Sequence, residues 1–291
     1  MGMKKPRRLL FIVVASVLLL FWVFFPVYWV LKTSFAPEEE VWNMGLPRNP
    51  TLRNFRDIFS VRQGSMVEVS GAMLSISPTI MTPLRNTLLV ATVAVFLTMV
   101  VSSIAAFNLS RFSYRGKRVV SSYVLFAYVF PPFILMVPIT VVMRRLGLYD
   151  SLWGLTLAHL AYTIPFATYM LRGYFLGIPQ ELEEAAQVDG CSRFQSFVRI
   201  TLPLSAPGLV TVAIFSFVLS WGDVVFATVL LNTQEQYTLP IHIGFFLWGG
   251  EIVDPGRLAA TALIAGLVPA FLYIAIQRFV QMGLVAGAVK G

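Results

Sequence analysis

Five stretches of this chain run for twenty residues or more without one Asp, Glu, Lys or Arg: Leu9–Leu31, Asn86–Ser110, Val119–Met143, Ser151–Leu171 and Leu258–Gln277. No other feature limits the fold as strongly. An α-helix rises about 1.5 Å per residue, so about 20 apolar residues cross the ~30 Å hydrocarbon core of a bilayer. A sixth stretch, between Ile200 and Gln234, is interrupted by a single acid, Asp223. Six spanning helices are therefore expected, at about 9–31, 86–110, 119–143, 151–171, 207–231 and 258–280, in one all-α integral membrane domain covering 1–291. Composition agrees, with 57% hydrophobic residues, 12% charged and a mean hydropathy of +0.76. A soluble domain carries about 25% charged residues. Half that charge cannot coat a water-soluble body, and the apolar excess rules out a disordered chain.

Lys4, Lys5, Arg7 and Arg8 precede the first span. A cleaved signal has an apolar region of about 7–15 residues ending at a small-residue site. This stretch is longer and runs on through Phe24, Phe25, Pro26, Tyr28 and Trp29. It reads as an anchor with a cytoplasmic N terminus, because Lys and Arg gather on cytoplasmic loops. Six spans return the C terminus to the same side. The loop after the second span agrees, carrying Arg111, Arg115, Lys117 and Arg118 without an acid. The outer segment, 33–84, mixes both signs of charge and holds Pro37, Pro47, Pro50, Gly64 and Gly71, so it reads as a loop-rich cap. Arg144 and Arg145 fall outside in this scheme and count against it, although the short basic loop outweighs them. The net charge of +8 has the same origin, which makes the bilayer the expected partner and not nucleic acid. One cysteine, Cys191, and two histidines cannot form an intrachain disulfide or a Cys/His zinc site, and no metal is expected.

Between the fourth and fifth spans lies the segment 178–203. Glu181, Glu183, Glu184 and Asp189 follow Pro179, which suits a helix start, where acids complement the helix dipole. Leu182, Ala185, Ala186 and Asp189 recur at i, i+3, i+4 and i+7, one face of a short helix. Gly190 fits a left-handed stop. A second short helix follows, with Phe194, Phe197 and Val198 on one face. The unit is helix–glycine–helix on the cytoplasmic side. A tidily capped surface loop and a docking face both fit this pattern. Favouring docking, Asp189 sits at a helix C terminus, where a negative charge costs ~0.3–1 kcal/mol, and the alanine pair leaves a low surface for close approach.

Glu184-Ala185-Ala186, then Gly190, Ile200 and Leu202-Pro203, match the EAA motif of ABC importer permeases at every spacing, and Pro179–Pro207 resembles the maltose-type, MalG-like carbohydrate permeases in particular. The likeness extends through Asn86-Thr87, Arg111–Lys117 and the tail Gly283–Gly291, which is similar to that family's C-terminal signature. The resemblance implies the type I ABC importer permease fold in a prokaryotic cell membrane. It implies that Glu184, Ala185, Ala186, Asp189 and Gly190 belong to a coupling helix seated in a cleft of a cytoplasmic ATPase, with Glu184 offering an anion to a basic group. It implies a second contact to the ATPases through the tail 283–291, including Gly283 and Lys290. The partners implied are a second, different permease subunit, two ATPase copies and an extracytoplasmic sugar-binding protein. The cargo implied is a sugar, a di- or oligosaccharide. ATP and Mg would sit on the ATPases. This chain has no Walker A loop, since Gly116-Lys117 is followed by Arg118 and lacks the earlier glycine, so it is expected to bind no cofactor and to be no enzyme.

Inside the spans, Asp223 is the one acid, and an intramembrane charge marks a pathway or a partner. Trp221 and Asp223 are expected to line the substrate pathway or its outer gate, although Gly222-Asp223-Val224 departs from the family's usual Trp-Asn-Glu-Phe near this point. His159 is a candidate for substrate contact or for a polar contact between helices. Other classes fit less well. An ion-coupled carrier would need more intramembrane carboxylates than Asp223. An intramembrane enzyme would need a constellation that two scattered histidines do not make. Within the ABC class, another polar solute such as glycerol phosphate stays open, although the spans hold no internal Arg or Lys for a phosphate.

Overall fold

The computed structural model of the chain describes residues 5–60, 65–69, 72–76, 79–248 and 254–288. Helices dominate them. In chain order they are α1 (Lys5–Ser34), α2 (Arg53–Phe59), α3 (Met81–Arg111), α4 (Lys117–Val129), α5 (Met136–Arg145), α6 (Leu152–Leu176), α7 (Glu181–Val188), α8 (Arg193–Ser196), α9 (Leu202–Leu204), α10 (Ala206–Trp221), α11 (Val225–Leu230), α12 (Leu239–Trp248) and α13 (Pro255–Ala288). Two compact units emerge, one drawn from Met1–Met81 with Ile243–Leu267, the other from Thr82–His242 with Val268–Gly291.

In the first unit the outer segment is more than loop. It holds α2 and an antiparallel hairpin of β1 (Ser65–Val69) and β2 (Ala72–Ile76), with Ser65 opposite Ile76. Asn54 is buried and donates its side-chain amide to the carbonyls of Ser34 and Ala36, both at 3.0 Å, which ties α2 to the end of α1. Arg257, in the first turns of α13, reaches Asp57 of α2 at 3.1 Å and Asp254 at 3.0 Å.

Three helices are long and apolar enough to cross a bilayer outright: α1 over Leu9–Ser34, α3 over Met81–Arg111, and α13 over Pro255–Gln277. The expected span 119–143 is instead two helices, α4 and a continuation from Pro132, bent by 96°. Pro131 and Pro132 explain the corner, since neither has an N–H to continue the ladder and each forces the preceding residue out of helical geometry. The span expected at 207–231 is likewise broken. It consists of α10 and α11 with three non-helical residues, 222–224, between them, and α10 itself turns by 78° from the short helices before it. The fourth expected span coincides with α6, whose 25 residues are long enough to cross but whose threonines, tyrosines and His159 dilute its hydropathy.

The core of the second unit lies where α3, α6 and α10 meet. Ala106, Ala167, Leu171, Phe175, Phe197 and Val212 form one buried cluster. Small and hydroxylated residues let the backbones come close: Thr98 and Thr163 share a hydrogen bond of 2.7 Å, and Ser102 donates to the Ile164 carbonyl at 3.2 Å. Gly208 of α10 lies against the Tyr174 ring so tightly that a Cβ there would come within 2.5 Å of a ring carbon. Ahead of α6, Asp150 adopts a left-handed φ of 56°, which Asp tolerates, and forms a clasp. Its N–H donates to the Leu230 carbonyl at 2.8 Å, and its Oδ1 accepts the N–H groups of Asn232 and Thr233 at 2.7 and 3.0 Å. Burial pushes this carboxyl up, but those N–H groups outweigh it and hold Asp150 below the usual carboxylate range.

Candidate functional site

The segment between α6 and α10 is an elbow of short helices. α7 opens with three acids in its first turn. It closes at Gly190, whose φ of +91° is left-handed, as the sequence expects. The N–H of Cys191 donates to the Ala186 carbonyl at 2.9 Å and that of Gly190 to Gln187 at 3.1 Å, the paired bonds of a Schellman stop. α8 starts at Arg193, three residues after Gly190, under a capping box in which Ser192 and Gln195 bond each other's backbone N–H.

Two adjacent glutamates on α7 point in opposite directions. Glu183 is 4% exposed. Its Oε1 accepts from Arg111 Nε at 2.7 Å and from the Thr201 hydroxyl at 2.7 Å, while a second guanidinium nitrogen of Arg111 donates to the Ile178 carbonyl at 3.0 Å. Arg111 is the last residue of α3, and its side chain is as buried as its partner's. This triad pins the elbow to the end of α3. Glu184 faces solvent instead, as do Ala185, Asp189 and Gly190, with Ala186 half-buried. Beside them Val188 is 88% exposed, Phe194 67% and Leu182 45%. The aromatic face expected on the second helix splits: Phe197 turns into the core against Phe107 at 4.6 Å, while Phe194 stays outside. The two rings still touch, at 6.2 Å, so Phe194 lies at the rim of the same cluster, and a π-helical turn over Phe197–Thr201 follows.

The sequence reading missed Glu183, Arg111 and Thr201. One signal for the pair existed: Arg111 closes a long span in a loop that offers it no acid. The helical periodicity grouped Leu182 with Ala185, Ala186 and Asp189, and that face is the outward one.

Of the intramembrane candidates, the structure joins two. His159 Nε2 lies 3.2 Å from Asp223 Oδ2, with His159 1% exposed and the Asp223 side chain 9%. Asp223 does not lie within a continuous helix, as the expected span 207–231 would have it. It occupies the break before α11 and accepts the N–H groups of Phe226 and Ala227 at 3.3 and 3.0 Å. Free N–H groups at a helix start stabilise a carboxylate, and this is how an acid is accommodated inside an apolar stretch. The Nε2–H tautomer of His159 satisfies the contact and leaves at buried Nδ1 an acceptor without a partner among the described residues. Trp221 is buried one turn away and stacks on Phe217 at 5.5 Å. In the tail, α13 carries Gly283 in helical backbone, and Lys290 lies outside the described residues.

Long apolar helices, two of them sharply broken, define a multi-pass helical membrane protein with a pinned elbow between α6 and α10. Residues 98–284 match the family model of the binding-protein-dependent transport system inner membrane component, and the chain belongs to that family. It is similar to the inner membrane ABC transporter permease protein YcjP of Escherichia coli (strain K12), 32% identical over 92% of this chain and 91% of that one. A trehalose transport system permease protein, SugB, of Mycobacterium tuberculosis (strain CDC 1551 / Oshkosh) is 32% identical over 98% and 99%. In fold it is similar to a chain in the crystal structure of a bacterial ABC transporter involved in the import of the acidic polysaccharide alginate. There the TM-score is 0.79 at 20% identity, over 96% of this chain and 99% of that one. The chain is therefore a permease subunit of a binding-protein-dependent ABC transport system.

Proposed function

We propose that this permease subunit carries a sugar, a di- or oligosaccharide, delivered by an extracytoplasmic binding protein, and that the elbow couples it to a separate ATPase. One observation carries the coupling half: an exposed strip at Glu184, Ala185, Asp189 and Gly190 mounted on a buried Glu183–Arg111 pair. A lever must be rigid where it joins the moving part and accessible where it is gripped. Glu183 serves the first need and Glu184 the second, giving a basic group on the ATPase an anion to meet at close range. Val188 and Phe194 supply apolar area beside it. The names of relatives that transport trehalose support the sugar half.

In this reading both termini are cytoplasmic, the second permease is a different chain, and two ATPase copies bind ATP and Mg below the pair. The tail from Gly283 to Lys290 is a second contact to them. His159, Asp223 and Trp221 act on the pathway by holding the break between α10 and α11 in place. The test is co-purification of the ATPase with wild-type chain and with Glu184→Arg. Because Glu184 is exposed, the variant is expected to keep its melting temperature and to lose at least about tenfold in retained ATPase, the scale of one charge-assisted contact turned repulsive. Full retention by Glu184→Arg would remove Glu184 from the interface.

A further inference from the structure

The loop after α3 and the first two turns of α4 form, with α6, an open cavity of about 560 Å³. Its lining is one-sided in charge. Lys117, Arg118 and Arg172 line it with the hydroxyls of Ser121 and Ser122, and no acid contributes. None of the three cations makes an ion pair among the described residues, and Arg172 Nε is buried there without a hydrogen-bond partner. A guanidinium with no acceptor of its own is available to an anion that enters the cavity. The start of α4 adds to the positive potential, because it has neither an acid in its first turn nor a side-chain cap. All of this marks a site for a phosphate-type anion.

The surroundings identify which one. The cavity sits where the polar loop meets the apolar stretch beginning at Val119, the depth of lipid headgroups. Leu125 also lines it, and no residue of α4 is buried within the chain, so the cationic lining adjoins an exposed helix rich in apolar residues. Val119 and Val120 are exposed beside it. A cationic pocket continuous with an apolar helix face fits an amphiphile with a phosphate head. We propose that this cavity binds the headgroup of an anionic phospholipid, with Arg172 and Lys117 holding the phosphate and acyl chains lying along α4. The leaflet follows from the orientation proposed above, whereas lipid binding itself does not depend on it.

The test uses the full chain, reconstituted in nanodiscs with a phosphatidylglycerol and phosphatidylcholine mixture, then released and examined by native mass spectrometry. Wild type is expected to keep phosphatidylglycerol in preference to phosphatidylcholine, and Lys117→Gln/Arg172→Gln to lose that preference by about tenfold or more, since each basic residue near a headgroup contributes substantially. Arg115→Gln, on the same loop but outside the cavity, is expected to behave as wild type and serves as the folding control. Equal retention of the two lipids by wild type would overturn the proposal. So would unchanged preference in the double variant. Displacement of the lipid by excess inorganic phosphate would assign the cavity to a free anion. If the double variant loses its ATPase partner while its lipid preference is unchanged, the cavity belongs to a protein contact. A double variant that fails to fold is replaced by Arg172→Lys, which keeps the charge but loses the fork, and is expected to retain lipid at an intermediate level.

Discussion

The elbow at Gly190 and the break at Asp223 solve the same problem in opposite ways. Each is a helix discontinuity held by one buried carboxylate, and each contacts a helix distant in sequence. At the elbow, Glu183 is neutralised by a guanidinium at 2.7 Å, and the adjoining residues face outward. At the break, Asp223 draws on two backbone N–H groups and a histidine, and Trp221 and Phe226 beside it are buried. A full ion pair fixes the elbow to the end of α3. At the break, the free N–H groups of a helix start take the place of a cationic side chain.

The sharpest way to break this comparison is to remove the elbow's cation. Arg111→Ala leaves the Glu183 carboxylate buried with only Thr201, and a loss of about 3–5 kcal/mol is expected, read as a large drop in melting temperature by tryptophan fluorescence. Arg111→Met with Glu183→Met should recover most of it, because a well-packed apolar pair replaces a buried ion pair at little cost. A mild single variant would mean that the pair is not an anchor. Next in size, Asp223→Ala should cost about 1–3 kcal/mol by stranding the Phe226 and Ala227 N–H groups, while Asp223→Asn keeps an acceptor for them and should lose clearly less. Equal losses would show that the negative charge, and not the acceptor, holds the break. Gly190→Val forces a β-branched residue into left-handed backbone at about 1–2 kcal/mol. Its damage should be local, reducing ATPase retention more than overall stability. Smallest is the Asp150 clasp. Its folded carboxyl titrates below the usual range, so its contribution is complete above the unfolded value near ~3.9 and is lost as pH falls through the folded one. Melting curves from neutral pH down to that window should steepen their decline at the acid end, and Asp150→Asn should flatten that decline.

Much of this was legible in the linear chain. Charge-free runs fix where helices can cross, because the bilayer tolerates little else, and Gly190 declared its left-handed turn by following an acid-rich amphipathic octet. Pro131 and Pro132 signalled an interruption, though not a bend of 96°, which depends on how α4 and α5 pack. Glu183 was invisible for a different reason. Its partner is 72 residues away, and helical periodicity ranks every glutamate as a surface residue. Asp223 was misplaced because hydropathy counts composition and ignores chain breaks. The hairpin carried a turn signal, Ser70-Gly71 between 65–69 and 72–76, and was passed over because those short runs do not alternate cleanly between apolar and polar residues.

α11 has an acid at each end, and both acids bind it to α6. Asp223 precedes it and touches His159, while Asp150, just ahead of α6, grips the backbone that follows it. A six-residue helix fastened fore and aft in this way is freight. It travels with α6 and cannot tilt against it without uncoupling one end. α10 joins it only across the three non-helical residues 222–224, and the middle one, Asp223, is itself tied to α6 through His159.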